Sequence, residues 1–293
     1  MGYQLWASPV TGHRRRGTRL NDFRAALDAK ITTQEIFEPL LSCPAQAPAS
    51  EMNDELTRRD FDVAGVKCTS DGPVIGFVRR ETLTIGLAQD HVEPISPDLL
   101  VSPSVGIEAL LHQLGHRPFL FIKINETVSG IITLADLNKP LVRVYFFGLL
   151  SLLEIHMSFW VTQEYPDESW LPVLNAGRVE QAARVQGERE RRGQSLSLGD
   201  CLQFADKRDL VVARDHLRDH LGLGSKNAAR NGLSDAEGLR NTLAHSQYDL
   251  VHGSSWPDLI ALIQWIQTII ARSDDSVDAH VAETAKGFIG ALW

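Results

Sequence analysis

Two hydrophobic spacings divide this chain near residue 140. Before it, short apolar runs alternate with helical stretches; after it, apolar residues recur every three or four positions. Ser104 to Leu114 has helical periodicity, Phe119 to Ile124 reads as a strand, and Thr127 to Thr133 as a second strand leading into a helix near Leu134. The same order occurs earlier. Glu51 to Arg59 is helical, Phe61 to Val66 is a strand, and Pro73 to Val78 runs into Arg79-Arg80-Glu81. Matching features lie about 54 to 58 residues apart, which predicts an internal repeat.

The second half predicts an α-helical bundle. An apolar run, Val144 to Leu153, lies between Arg143 and Glu154 and continues as helix to about Gln163. At about ten residues it is far shorter than the roughly 20 that span a bilayer, so it predicts a buried core helix and no membrane. The helix continues directly out of the repeat with no Gly/Ser linker, a stiff physical route between the halves. Ser151, Glu154, Ser158 and Thr162 form a polar seam on it. A carboxylate there needs a cationic partner, and Arg178 or Arg184 would serve structurally. Further helices are expected over Glu168–Arg191, Leu198–Leu221, Asp235–Ser246, Trp256–Arg272 and Val277–Leu292, punctuated by Gly193, Gly222-Leu223-Gly224 and Gly253-Ser254-Ser255.

At 293 residues and 43% hydrophobic content the chain can bury two cores. Three widely spaced cysteines, Cys43, Cys68 and Cys201, fit neither a disulfide framework nor a zinc site, and no apolar run follows His13-Arg14-Arg15-Arg16 as a signal peptide would; a cytoplasmic protein is expected. A net charge of −8 excludes a generic basic nucleic-acid binder. Between Arg178 and Arg230, however, eleven Lys/Arg face eight Asp/Glu. Lys207, Arg214 and Arg218 would line one helical stripe and are the RNA-binding candidates; ion pairs with Asp215 and Asp219 are the plainer alternative. His112, His116, His216, His220, His252 and His280 show no metal-site spacing, and phosphate loops, zinc-protease His pairs and Gly-x-Ser-x-Gly elbows are absent. No metal site is expected.

The segment Leu239-Arg240-Asn241-Thr242-Leu243-Ala244-His245 holds the sharpest chemistry. Imidazole takes and gives protons near neutrality, and a guanidinium fork suits a phosphate gaining charge. On a helix Asn241 and His245 share a face, while Arg240 lies roughly 140° away, so it must reach round or come from a second chain. This Arg-Asn-x-x-Ala-His pattern resembles the HEPN superfamily, many of whose members are metal-independent endoribonucleases that pair their motifs across a dimer. The resemblance covers roughly the C-terminal half. It implies Arg240 and His245 as catalytic, Asn241 as orienting the ring, and Glu154 as an acidic residue near them. An exposed polar helix face is the alternative.

The element order of the first half, with Gly130-Ile131-Ile132-Thr133-Leu134-Ala135-Asp136-Leu137, resembles a cystathionine β-synthase (CBS) domain. Two in tandem form a Bateman module, a common sensor of adenine nucleotides. The resemblance implies that Thr133 contacts phosphate and Asp136 the ribose; an N-cap arrangement is the alternative. The first copy lacks the Thr, so either it has lost its ligand or Arg79 and Arg80 grip phosphates instead.

The expected fold is α+β: a tandem CBS module over 1–140, its first copy about 1–95 and its second about 96–140, then an all-α HEPN bundle over 141–293. The expected function is an adenine-nucleotide-responsive, metal-independent endoribonuclease that cuts RNA by 2′-hydroxyl attack, with no cofactor for catalysis and a nucleotide as regulator. It would act as a homodimer, in a toxin, stress or defence role, with an antitoxin or other protein as a further partner. The alternative is a non-catalytic nucleotide sensor whose helices only dimerise or dock a partner.

Overall fold

The computed structural model describes residues 6–8, 11–245, 249–251 and 253–286. The chain divides into two compact units, residues 28–142 and residues 1–27 together with 143–293. The first 27 residues, expected within the first α/β copy, therefore group with the helical bundle, and the reason is electrostatic. Ahead of α1 (Leu20–Leu27), the buried guanidinium of Arg14 pairs with Asp274 and, at 2.7 Å, with Asp278. The N–H of Leu20 donates to Asp274 as well, at 2.9 Å. Both acids lie some 260 positions away, where local sequence patterns do not reach.

Residues 28–142 begin with β1 (Glu38–Pro39), then run β2 (Ser42–Pro44), α2 (Ala49–Arg59), β3 (Val63–Lys67) and β4 (Val74–Arg79), followed by β5 (Leu100–Val101), α3 (Ile107–Leu114), β6 (Phe119–Ile124) and β7 (Thr127–Thr133). The repeat is real. In each copy a short strand pairs parallel with the second strand, which forms an antiparallel hairpin with the third. Ser42 answers to Leu100, Ala49 to Ile107, Val63 to Phe119 and Arg79 to Thr133, offsets of 58, 58, 56 and 54 residues. The strands β2 and β5 escaped the sequence reading because two or three residues carry no alternation to detect.

Each copy packs its helix by spacing. Ala49, Met52 and Leu56 bury one stripe of α2 in a core with Cys43, Val66 and Val78, and Ile107, Leu110, Leu111 and Leu114 do the same for α3. The β6–β7 hairpin turns through Asn125 and Glu126 at φ 47° and 66°, the left-handed pair that matches strand twist in a two-residue loop. Between the sheets Val63, Phe77, Phe119 and Phe121 form a shared core. The copies are not separable at residue 95, since β1 pairs antiparallel with β7 and completes a four-stranded sheet ordered β1-β7-β6-β5. That pairing needs Gly130: a Cβ there would stand 2.3 Å from the Phe37 ring. The helix expected after Thr133 is a five-residue 3-10 turn, Leu134–Asn138.

The other unit contains most of α4 (Pro140–Glu164), then α5 (Ala176–Glu190), α6 (Phe204–Val212), α7 (Asp215–Leu221), α8 (Lys226–Ala244) and α9 (Trp256–Lys286). Among the described residues α4 alone is long and apolar enough to cross a membrane, yet 56% of its apolar window is buried, as in a core helix. Several expected helices differ. The stretch from Glu168 is broken by 3-10 turns carrying Pro166 and Pro172, and helix starts only at Ala176, capped by Asn175. Leu198–Leu221 is two helices, divided at Arg214, whose φ of −106° and ψ of 115° are extended. Ser225 caps α8, which starts at Lys226, nine residues before the expected start.

The expected pair Trp256–Arg272 and Val277–Leu292 is one helix as far as Lys286; 287–292 lie outside the described residues, as do Ser246 and His252. Ser273-Asp274 reads as a break but is absorbed by tertiary bonds. The Ser273 hydroxyl accepts from Trp160 Nε1 at 2.8 Å and lies 2.6 Å from His156 Nδ1, while Asp274 receives Arg14.

Candidate functional site

Within residues 28–142 a cleft of about 1130 Å³ opens at the ends of the two long hairpins. Arg79 and Arg80 reach it from the end of β4, and Thr133 and Asp136 from the equivalent end of β7. All four expected nucleotide residues thus line one cavity, although they come from different copies. Asn53 and Thr57 of α2, the turn Asp60-Phe61-Asp62 and Glu38-Pro39 of β1 also line it.

The second-copy pair is largely committed to itself. Thr133 donates its N–H to Asp136 Oδ2 at 2.7 Å and its hydroxyl to the same atom at 3.2 Å. Asp136 Oδ1 lies 2.9 Å from the Lys139 ammonium, and its side chain is 9% exposed. The N-cap alternative is therefore realised in bonding; with three of about four acceptor sites on its two oxygens occupied, Asp136 keeps about one for a ribose hydroxyl. Burial lowers the Lys139 pKa, but the carboxylates of Glu38 and Asp136 outweigh it and hold the ammonium above its ordinary value.

The first-copy arginines are held in place by acids. Arg79 Nε donates to Glu93 at 3.0 and 3.3 Å, and its guanidinium lies 5.3 Å from the Phe77 ring and 5.1 Å from that of Phe119. Arg80 Nη2 lies 2.6 Å from Asp62, and Nη1 lies 3.5 Å from Asp60. Asn53 fixes the turn that follows by donating to the carbonyls of Arg80 and Leu83 at 2.8 and 2.9 Å. Five carboxylates (Glu38, Asp60, Asp62, Glu81, Asp136) line the cleft against these two guanidinium groups, so an anionic ligand must compete with Glu93, Asp60 and Asp62 for them.

Sequence reading missed Asn53, Lys139, Glu38 and Phe61. Asn53 and Lys139 carried no motif. Phe61 was assigned to a strand, but it follows Asp60, which ends α2 at φ 56°, and its ring is 44% exposed at the cleft. An exposed aromatic beside a cleft is the available signal.

In the helical unit the structure brings Glu154 and Arg240 together, with Oε2 4.0 Å from Nη2. Glu154 Oε1 lies 3.0 Å from Lys207 Nζ. The structural partners foreseen for Glu154 go elsewhere: Arg178 lies 2.7 Å from Asp206, and Arg184 donates to Gln181 at 3.2 Å. Arg240 Nη1 also donates to Asn241 Oδ1 at 3.2 Å. His245 follows α8 as its C-cap, exposed, with its backbone N–H donating to the Asn241 carbonyl at 3.0 Å; among the described residues no hydrogen bond joins the His245 ring to the Asn241 side chain.

The basic stripe does not form. Lys207 is buried against Glu154 on α6; Arg214 lies beside Glu164 at 3.4 Å and over the Tyr165 ring at 4.6 Å; Arg218 is buried on α7, bonded to the Val212 carbonyl and to Asp215 at 2.7 Å. A helix break at Arg214 destroys the seven-and-four spacing that made one face.

No family model matches the chain, and no curated protein matches it. Solved structures similar to it over about 40% of its length include CBS-domain proteins. One is the CBS domain of a bacterial CNNM/CorC-family Mg2+ transporter in complex with ATP, 14% identical over 42% of this chain and 94% of that one, at a TM-score of 0.32. Another is CBSX2 in complex with AMP, a CBS-pair protein also solved from Arabidopsis thaliana, 16% identical over 39% and 95%, at 0.33. A third is an uncharacterized conserved protein from Pyrococcus horikoshii, 19% identical over 38% and 91%, at 0.33.

Proposed function

We propose that residues 28–142 are a tandem CBS module that binds an adenine nucleotide as a regulatory ligand in the cytoplasm, and that the helical unit carries the response by dimerising or docking a partner protein. The observation that carries this reading is the single cleft into which both copies send the same end of the same hairpin, with guanidinium groups at one and a hydroxyl–carboxylate pair at the other. Arg79 and Arg80 would bind phosphate, Asp136 would accept a ribose hydroxyl, and the exposed Phe61 ring offers a stacking face to the base. Calorimetry with ATP, ADP and AMP tests it on the parent and on Arg79→Ala and Arg80→Ala. Losing a charge-assisted hydrogen bond should weaken binding by about tenfold or more. Absence of binding of all three nucleotides to the parent overturns the reading.

A second reading has its own support. Glu154 stands 4.0 Å from Arg240, and the Arg240-Asn241…His245 set ends α8 with an exposed imidazole, which suits a metal-independent HEPN ribonuclease whose two chains share a cleft. His245 would move the 2′-hydroxyl proton and Arg240 would hold the pentacoordinate phosphate. Incubation with mixed RNA in EDTA, with and without nucleotide, tests it through cyclic phosphate ends.

A further inference from the structure

We infer that the cleft of residues 28–142 selects a ligand with one phosphate against di- and triphosphates, and that Asp60 and Asp62 set this selection; the identity of the ligand as a nucleotide rests on the first reading above. Charge is the starting point. Five carboxylates and two guanidinium groups line the walls, while Glu93, paired with Arg79, and Lys139, paired with Asp136, cancel one another. The cleft therefore carries three net negative charges, the sign that repels phosphate.

Free donors decide how much phosphate such a wall accepts. Arg79 uses Nε on Glu93 and is fixed against the Phe77 and Phe119 rings, which leaves its two Nη groups without a hydrogen bond among the described residues. They form a fork that fits one phosphate. The neighbouring cation is already engaged: Arg80 Nη2 lies 2.6 Å from Asp62 and Nη1 lies 3.5 Å from Asp60, and Glu81 lines the cleft beside it. A first phosphate gains the Arg79 fork, whereas each further one meets a cation that two carboxylates hold and adds charge to an acidic wall. Neither acid is a buried partner of the fold, since the Asp60 side chain is 98% exposed and that of Asp62 81%. Asp60 stands at φ 56°, a conformation that asparagine also adopts, so both can become Asn without strain.

The test is calorimetry of the full chain with AMP and with ATP, in EDTA so that no divalent cation neutralises the phosphates, and at fixed ionic strength. ATP carries about two more negative charges than AMP, so the parent should bind AMP about tenfold more tightly. In the double variant Asp60→Asn, Asp62→Asn, AMP should gain about threefold and ATP about tenfold, which narrows the preference to about threefold. Raising the salt from about 0.1 to about 0.5 M should narrow the parent's preference too, because exposed charges are screened. A parent that binds ATP as tightly as AMP overturns the proposal, and so does a double variant that keeps the parent's ratio. If neither nucleotide binds the parent, the nucleotide reading falls and inorganic phosphate and pyrophosphate, titrated by 31P NMR, decide the charge rule alone. Phosphate ahead of pyrophosphate, with the gap narrowed in the double variant, sustains it; any other order, or no binding of either, overturns it.

Discussion

Acid should unfold the helical unit through His156, and the effect can be worked out from its surroundings. The ring is 1% exposed, packs edge-on to Trp6 at 4.9 Å, and holds Nδ1 2.6 Å from the Ser273 hydroxyl. Burial first, and the Arg14 guanidinium second, depress its pKa from the ordinary 6.5 to about 3. In the unfolded chain the imidazole takes its proton near pH 6.5; in the folded chain it resists until about pH 3. Between these values the unfolded state binds more protons, so stability is complete above about pH 6.5 and falls with acid at up to about 1.4 kcal/mol per pH unit. At pH 4 the loss from this residue reaches about 3 kcal/mol. The assay is built into the chain: all six tryptophans, Trp6, Trp160, Trp170, Trp256, Trp265 and Trp293, belong to the unit holding His156, so their fluorescence follows its unfolding in urea. His156→Gln cannot titrate. It should be less stable than the parent at pH 7 by about 1 kcal/mol, for the lost hydrogen bond, and more stable than the parent at pH 4. Parallel profiles for the two chains from pH 7 to 4 would refute the argument, because they would mean the folded imidazole protonates without penalty.

Other outcomes follow from the same geometry. Arg14→Ala should destabilise the helical unit by about 3 kcal/mol, since it leaves the largely buried Asp274 without its guanidinium partner while Asp278 keeps Arg19; an unchanged urea midpoint contradicts that role. Asp136→Ala should weaken adenine-nucleotide binding in calorimetry by removing the ribose acceptor, and equal affinity in the two chains would leave Asp136 a cap only. On the nuclease reading, His245→Ala and Arg240→Lys should each abolish cleavage of RNA, the second because a point charge does not reproduce a guanidinium fork. Mixing Arg240→Ala and His245→Ala chains should then restore some cleavage at a shared two-fold cleft; a monomer cutting at full rate rejects that arrangement.

Periodicity sufficed for whatever depends on neighbours along the chain. The strands Phe119–Ile124 and Thr127–Thr133 appear at the expected residues because buried β-structure writes itself as a continuous or alternating apolar run. The repeat was legible for the same reason, and so was Glu154, whose carboxylate on a greasy helix demanded a cation. Which cation answered was a tertiary decision, and Lys207 answered from a helix where spacing alone had promised an exposed stripe. The cleft shows the same division. Thr133, Asp136, Arg79 and Arg80 stood out as residue types, but their meeting in one cavity depends on two hairpins folding together, and Phe61 joined them through a left-handed turn at Asp60. The first 27 residues were misplaced because Arg14 reads locally as part of a basic tail. Of its partners, Asp274 falls in the break expected between two helices and Asp278 in the second of them; only a fold that brings the charges together joins tail and both helices in one structure.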